Sequence, residues 1–117
     1  MRDPEKAARK LLPLSEATYL ILASLTRPRH GYGIMQDVET ASGGWVKLGP
    51  GTLYGALTNL LKQKLIKRVG ETGAGSERRK VYGLTALGER VLVAEGKRLA
   101  SLSRLALEMS KRGGGAQ

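Results

Sequence analysis

Apolar positions recur along this chain at spacings that shift from helical to strand-like and back. EATYLILASL carries apolar residues nearly all round, predicting a well-buried helix over about 15–26 with Ser15 as its N-cap and Pro28 as its stop. Gly31 to about Ala41 puts Ile34, Met35 and Val38 on one face and predicts a second helix, ended by Ser42-Gly43-Gly44. Trp45 to Leu48 is too short for anything but a strand or an extended link. Upstream, residues 1–13 are charged and end in Leu-Leu-Pro, which reads as a flexible or loosely helical arm.

A third helix is predicted after Gly49-Pro50-Gly51. At about 100° per residue, Leu53, Leu57, Leu60 and Leu61 fall in one arc and form its core face. Nearly opposite stand Gly51, Thr52, Gly55, Thr58, Asn59 and Lys62, all small or polar, with Tyr54 on the flank. A helix lined with such groups can approach another surface closely. The segments Ile66–Gly70 and Arg79–Leu84 are β-like and flank a Gly-rich tip, Thr72–Ser76, so they predict a hairpin. Thr85 then caps a fourth helix to about Arg112, roughly 40 Å long at 1.5 Å per residue. Along it Leu92, Leu99, Leu102, Ala106 and Met109 keep a three–four spacing that Glu95 interrupts. An apolar stripe that outruns its own domain calls for a second chain, so these five are the candidate dimer interface.

The order helix, helix, short strand, helix, hairpin is that of a winged helix-turn-helix, an α+β and mainly helical fold whose third helix enters the major groove. The expected division is a flexible arm over 1–13, a winged DNA-binding domain over 14–84, a dimerisation helix over 85–112 and a disordered tail over 113–117. Charge sharpens this picture. The chain of 117 residues has a formal net charge of +10, which points to nucleic acid, an anionic membrane surface or another acidic macromolecule. Between Lys62 and Lys80 seven basic residues (Lys62, Lys64, Lys67, Arg68, Arg78, Arg79, Lys80) face only Glu71 and Glu77, whereas residues 31–61 hold Asp37, Glu39 and Lys47. Positive charge therefore gathers at the end of the third helix and on the wing, where phosphates would lie.

Other classes recede. No apolar run approaches the roughly 18 residues of a membrane span, and no signal peptide is read at the N-terminus. Without cysteine there is no disulfide or thiolate metal site, which fits a reducing, cytoplasmic and nucleoid-associated setting. The single histidine, His30, lies in a turn-like RPRHGYG and reads as a polar residue before a helix; no partner for acid–base catalysis is visible, so no enzyme, metal or cofactor is expected.

Three ordered stretches, HGYGI at 30–34, GTLYGAL at 51–57 and RRKVYGLTALG at 78–88, resemble the PadR family of bacterial transcriptional regulators, and the likeness runs from residue 15 to about 110. The single long C-terminal helix resembles that of the family's shorter subgroup. The resemblance implies a dimeric winged-helix repressor that binds a palindromic double-stranded operator and leaves it when a small molecule binds. By position it puts Thr52 and Tyr54 in the recognition helix and Arg79 and Lys80 on the wing. The residues assigned to DNA are thus Thr52, Tyr54, Thr58, Asn59, Lys62, Arg78, Arg79 and Lys80. An effector pocket would lie between Leu14–Leu22 of one subunit and the C-terminal helix of the other.

Some positions depart from the family pattern. Lys64 stands where the family has a left-handed glycine, at a cost of about 1 kcal/mol, so the helix is expected to run on or to end differently. Gly55 costs about as much relative to alanine, and reads either as a tolerated surface glycine or as room for a phosphate or base. Val81 replaces the first of two wing tyrosines. Because Arg78, Arg79 and Lys80 alternate along a strand, they cannot all face DNA. Tyr82 reads as core rather than contact, Tyr32 as packed under the third helix in preference to reaching a phosphate with its hydroxyl, and Trp45 as a cover for the core beside the short strand in preference to a ligand contact. A winged-helix protein-interaction module and a non-specific nucleoid-type DNA binder are the competing functions; the uncharged Thr52, Thr58 and Asn59 favour sequence reading over both.

Overall fold

The computed structural model describes residues 3–115. Its helices are α1 (Pro4–Arg9), α2 (Glu16–Ser24), α3 (Gly31–Ala41), α4 (Pro50–Lys62) and α5 (Ala86–Gly115), and its strands are β1 (Arg29–His30), β2 (Ile66–Thr72) and β3 (Arg79–Leu84). Each predicted start has a physical anchor. The Ser15 hydroxyl accepts from the Thr18 amide at 3.1 Å to open α2, and the His30 ring nitrogen Nδ1 accepts from the Gly33 amide at 3.1 Å to open α3. Pro50 occupies the first turn of α4, where its missing N–H leaves nothing unpaired. Thr85 caps α5 through Gly88, and its own hydroxyl donates to the Lys64 carbonyl at 2.6 Å.

The core lies among α2, α3, α4 and the base of the hairpin. Ile21, Leu22, Ile34, Val38, Leu53, Leu57, Leu60, Leu65, Ile66, Tyr82 and Val91 are buried in one cluster. The core face read for α4 is thus the observed one, with Leu61 half-buried at its edge. Glycine is required at Gly88, where a Cβ would come within 2.0 Å of the Leu65 carbonyl oxygen, so α5 can start against the hairpin only without a side chain there.

The sheet has three antiparallel strands in the order β1-β3-β2. Arg29 faces Tyr82 and His30 faces Val81, while Arg68 also faces Tyr82 from the other side. Between Arg68 and Gly70 the register slips by a bulge at Val69. The short strand therefore precedes α3, and Trp45–Leu48, read as a strand or link, is a link. Two residues carry no period, and β1 exists because β3 offers it a partner. Along the link Val46 and Leu48 turn inward and Trp45 and Lys47 outward, so Trp45 does not cover the core; it is 81% exposed.

Three further expectations are corrected. The arm is not loose over residues 4–9: Asp3 caps α1 by accepting from the Glu5 amide at 3.0 Å, Pro4 starts it, and Ala8 is fully buried. The tail is helical through Gly115, because a helix already nucleated gains one hydrogen bond for each residue it adds; Ala116 and Gln117 lie outside the described residues. The end of α4 does turn left-handed, with Lys64 at φ 61°. The Leu65 amide donates to the Leu60 carbonyl and the Lys64 amide to the Leu61 carbonyl, both at 3.0 Å, which is the Schellman arrangement. The two bonds and the Thr85 hydroxyl hold the lysine in a conformation it would not choose.

Glu95, which breaks the apolar stripe of α5, has a structural reason to be there. Its carboxylate is fully buried, and Oε2 accepts from the Leu14 amide at 2.6 Å. Arg98 grips both oxygens from one turn further along. The Arg98 hydrogen bonds hold the Glu95 carboxyl below its ordinary range against the opposing effect of burial, and the Leu14 amide adds to them. This latch ties α5 to the entry of α2.

Candidate nucleic-acid interface

The free side of α4 is as the helical period predicts. Gly51, Thr52, Gly55, Thr58, Asn59 and Lys62 are all exposed, and a Cβ added at Gly51 or Gly55 would meet nothing within 4 Å. The Thr58 hydroxyl already donates to the Tyr54 carbonyl at 2.9 Å, leaving it as an acceptor toward any ligand. Thr52, Asn59 and Lys62 have no such internal commitment among the described residues. Here a row of small and uncharged hydrogen-bonding groups stands clear of the core that carries it.

Tyr54 is half exposed, and its ring lies against the start of α3. A Cβ at Gly31 would come within 2.6 Å of the Tyr54 hydroxyl oxygen and 2.9 Å of its ring. The first glycine of HGYGI, Gly31, and the tyrosine of GTLYGAL are therefore one contact, which sets the two helix starts side by side. Tyr54 is in part a spacer between helices as well as a group facing outward.

Arg78, Arg79 and Lys80 of the wing are all exposed; Arg78 precedes β3, so strand alternation separates only Arg79 from Lys80. Together with Tyr32, Pro50 and Tyr54 they line an open cleft of 530 Å3 between the wing and the starts of α3 and α4. The Arg79 guanidinium sits over the Tyr32 ring, 5.8 Å from its centroid, a cation–π contact that steers this flexible side chain. Tyr32 is half exposed and does not pack beneath α4, contrary to expectation; β3 brings Arg79 to it instead. No period in the sequence signals that pairing, because its two partners are far apart in the chain.

Charge is unevenly held on the wing. Arg68 and Arg78 both reach the Glu71 carboxylate, at 3.3 and 3.4 Å, so one anion serves two cations. Among the described residues Lys62 and Lys80 make no ion pair. Beneath the cleft Tyr82 is buried as expected; burial pushes its hydroxyl above the usual tyrosine range, Tyr54 adds to this and Arg68 opposes it. Val81 is buried as well, on the central strand of the sheet.

Away from this face, Leu99, Leu102, Ala106 and Met109 of the α5 stripe are exposed. Leu92 is not: it packs in part against its own core, where the first turns of α5 still lie over the domain. Leu105 and Leu107, outside the stripe read from the sequence, are exposed too. Among the described residues no helix is long and apolar enough to cross a membrane, and no group of three or more metal-ligating side chains occurs.

Comparison with known proteins agrees with this arrangement. Residues 20–94 match the model of the Transcriptional regulator PadR-like family. An uncharacterized 37.1 kDa protein in transposon TN4556 of Streptomyces fradiae is 38% identical over 90 residues, which are 76% of this chain and 24% of that protein. The chain thus spans about a quarter of that relative's length. A PadR family transcription regulator from Clostridium difficile R20291 superposes with a TM-score of 0.69 at 24% identity, covering 81% of this chain and 98% of the other. PadR of Bacillus subtilis, solved in complex with operator DNA, superposes with a TM-score of 0.60 at 25% identity over 70% of this chain and 47% of its own. With the family match running from the middle of α2 into α5, through both motif partners Gly31 and Tyr54 and the whole wing, the chain belongs to the PadR-like family of transcriptional regulators.

Proposed function

We propose that the protein is a sequence-specific DNA-binding repressor that acts as a homodimer and is released from a palindromic operator by a small-molecule effector. The observation that carries this reading is the single surface formed by the uncharged free face of α4 and the cationic wing beside it. Thr52 and Asn59 offer hydrogen bonds to base edges, while Lys62, Arg79 and Lys80 offer charge to phosphates on either side. The operator complex of the Bacillus subtilis relative supports the same use of the fold. Exposed Leu99, Leu102, Ala106 and Met109 support pairing through α5, and two linked heads would meet two half-sites about one helical turn apart. The effector site belongs at the cleft of 540 Å3 that Leu14, Tyr19, Trp45 and Leu99 line, where a second α5 would close it.

A gel shift with DNA from upstream of the protein's own gene, with and without competitor DNA, tests the reading. A complex that survives excess random DNA is expected. Binding that random DNA removes in proportion would leave only a non-specific role.

A further inference from the structure

On the side of α5 turned away from the apolar stripe, α1 and α5 enclose an open cleft of 770 Å3, within the size range of small-molecule sites. Arg90, Val93, Ala94 and Lys97 share one arc of α5 of about 100°. The two apolar residues lie between the two cations, which are about 10 Å apart along the axis. From α1 and the segment after it come Arg9 and Leu12. Val93 is 56% exposed, an apolar floor open to water. Arg98 also lines the cleft but is committed to Glu95, whereas Arg9, Arg90 and Lys97 make no ion pair among the described residues. With Arg98 balanced by Glu95, the three cations Arg9, Arg90 and Lys97 against the two carboxylates Glu5 and Glu89 leave the lining positive.

We propose that this cleft binds an organic anion with an aliphatic body, a medium-chain carboxylate. The lining holds no aromatic ring on which a planar ligand could stack, and its apolar surface is aliphatic. A carboxylate would take charge-assisted hydrogen bonds from Arg90 or Lys97, and the alkyl chain would cover Val93, Ala94 and Leu12. The site is separate from the wing, from the free face of α4 and from the face of α5 assigned to pairing.

The test is an amide chemical-shift titration of the full chain, without DNA, with octanoate and in parallel with 1-octanol. Octanoate is expected to give saturable shifts at Leu12, Val93 and Ala94, and 1-octanol to bind about tenfold more weakly or less, the loss expected for one charged hydrogen bond. Arg90→Ala with Lys97→Ala, two exposed positions, is expected to reduce octanoate affinity about tenfold or more on the same ground. Absence of saturable shifts at the cleft, shifts confined to Leu99–Met109, equal affinity for 1-octanol, or an unchanged double variant would each overturn the proposal. Because no DNA is present, failure here leaves the repressor reading standing.

Discussion

Replacing Lys64 with glycine should make the protein more stable, although it removes a side chain and adds none. Lys64 holds φ 61° at the end of α4, fixed by the bonds from its own and the Leu65 amide to the carbonyls of Leu61 and Leu60, and by the Thr85 hydroxyl on its carbonyl. All three involve main-chain atoms of residue 64 or its neighbours, so they survive the substitution. A left-handed residue with a Cβ costs about 1–2 kcal/mol. Against this, glycine frees the unfolded chain and gives back about 0.4–1 kcal/mol. The net gain expected for Lys64→Gly is about 0.5–1 kcal/mol, or roughly 2–6 °C in melting temperature for a chain of this size. Lys64→Ala is the control: it removes the same charge beside Lys62 and Lys67 yet keeps the strained Cβ, and should change stability by less than about 0.5 kcal/mol. Thermal melts followed by circular dichroism at one fixed protein concentration, without DNA, measure both. Equal melting temperatures for the glycine and alanine variants, or a lower one for glycine, would refute the strain at residue 64.

Other expectations follow from the latch, the stripe, the wing and α4. Glu95→Ala orphans the Leu14 amide and should cost about 1–3 kcal/mol in denaturant unfolding, whereas Glu95→Gln keeps an acceptor and should cost less. Since the Glu95 carboxyl is held below its ordinary value of 4.5, its contribution is complete above that pH and is lost as pH falls below it toward the lowered folded value; Glu95→Gln should flatten this acid limb of stability against pH, and an unaltered limb would argue against the latch. Leu99→Asp with Leu102→Asp should yield folded monomers with weakened operator binding, read by size-exclusion chromatography with light scattering; an unmutated protein already monomeric at micromolar concentration would remove the dimer. Arg79→Glu with Lys80→Glu should weaken all DNA sequences about equally and flatten the salt dependence of affinity, so unchanged binding at two salt concentrations would count against the wing. Thr52→Ala and Asn59→Ala should cost about 1–3 kcal/mol of discrimination for each good base contact, and proportional loss of operator and random DNA would contradict groove reading.

Helical periods make α3, α4 and α5 legible because each buries one face, and burial writes its spacing into the residues; α2, apolar nearly all round, is legible from its Ser15 cap and the Pro28 stop. The hairpin was legible from β-branched residues around a Gly-rich tip. What stayed hidden depends on partners distant in the chain. β1 spans two residues and exists by pairing with β3, some fifty positions later. Glu95 read as a flaw in the stripe, since nothing local reveals that it faces the Leu14 amide. Tyr32 and Arg79 likewise meet only once the wing is folded. The end of α4 is hidden for the opposite reason: propensity argues against a left-handed lysine, and three hydrogen bonds outweigh propensity. The basic cluster of the wing was visible as composition, but that one glutamate serves two of its arginines was not.

The latch between Glu95 and Leu14 also bears on how this protein can vary. Its acceptor is a side chain and its donor is the main chain. Any residue at position 14 except proline supplies the same N–H, so that site is constrained only by the half-buried space its side chain fills. Position 95 has no such latitude, because it needs both an acceptor of the right length and a charge for Arg98 to grip. A saturation library should therefore show a lopsided pair: broad tolerance at 14 with proline excluded, and a narrow choice at 95. The tie between α5 and the entry of α2 is in this way encoded at one position and merely received at the other.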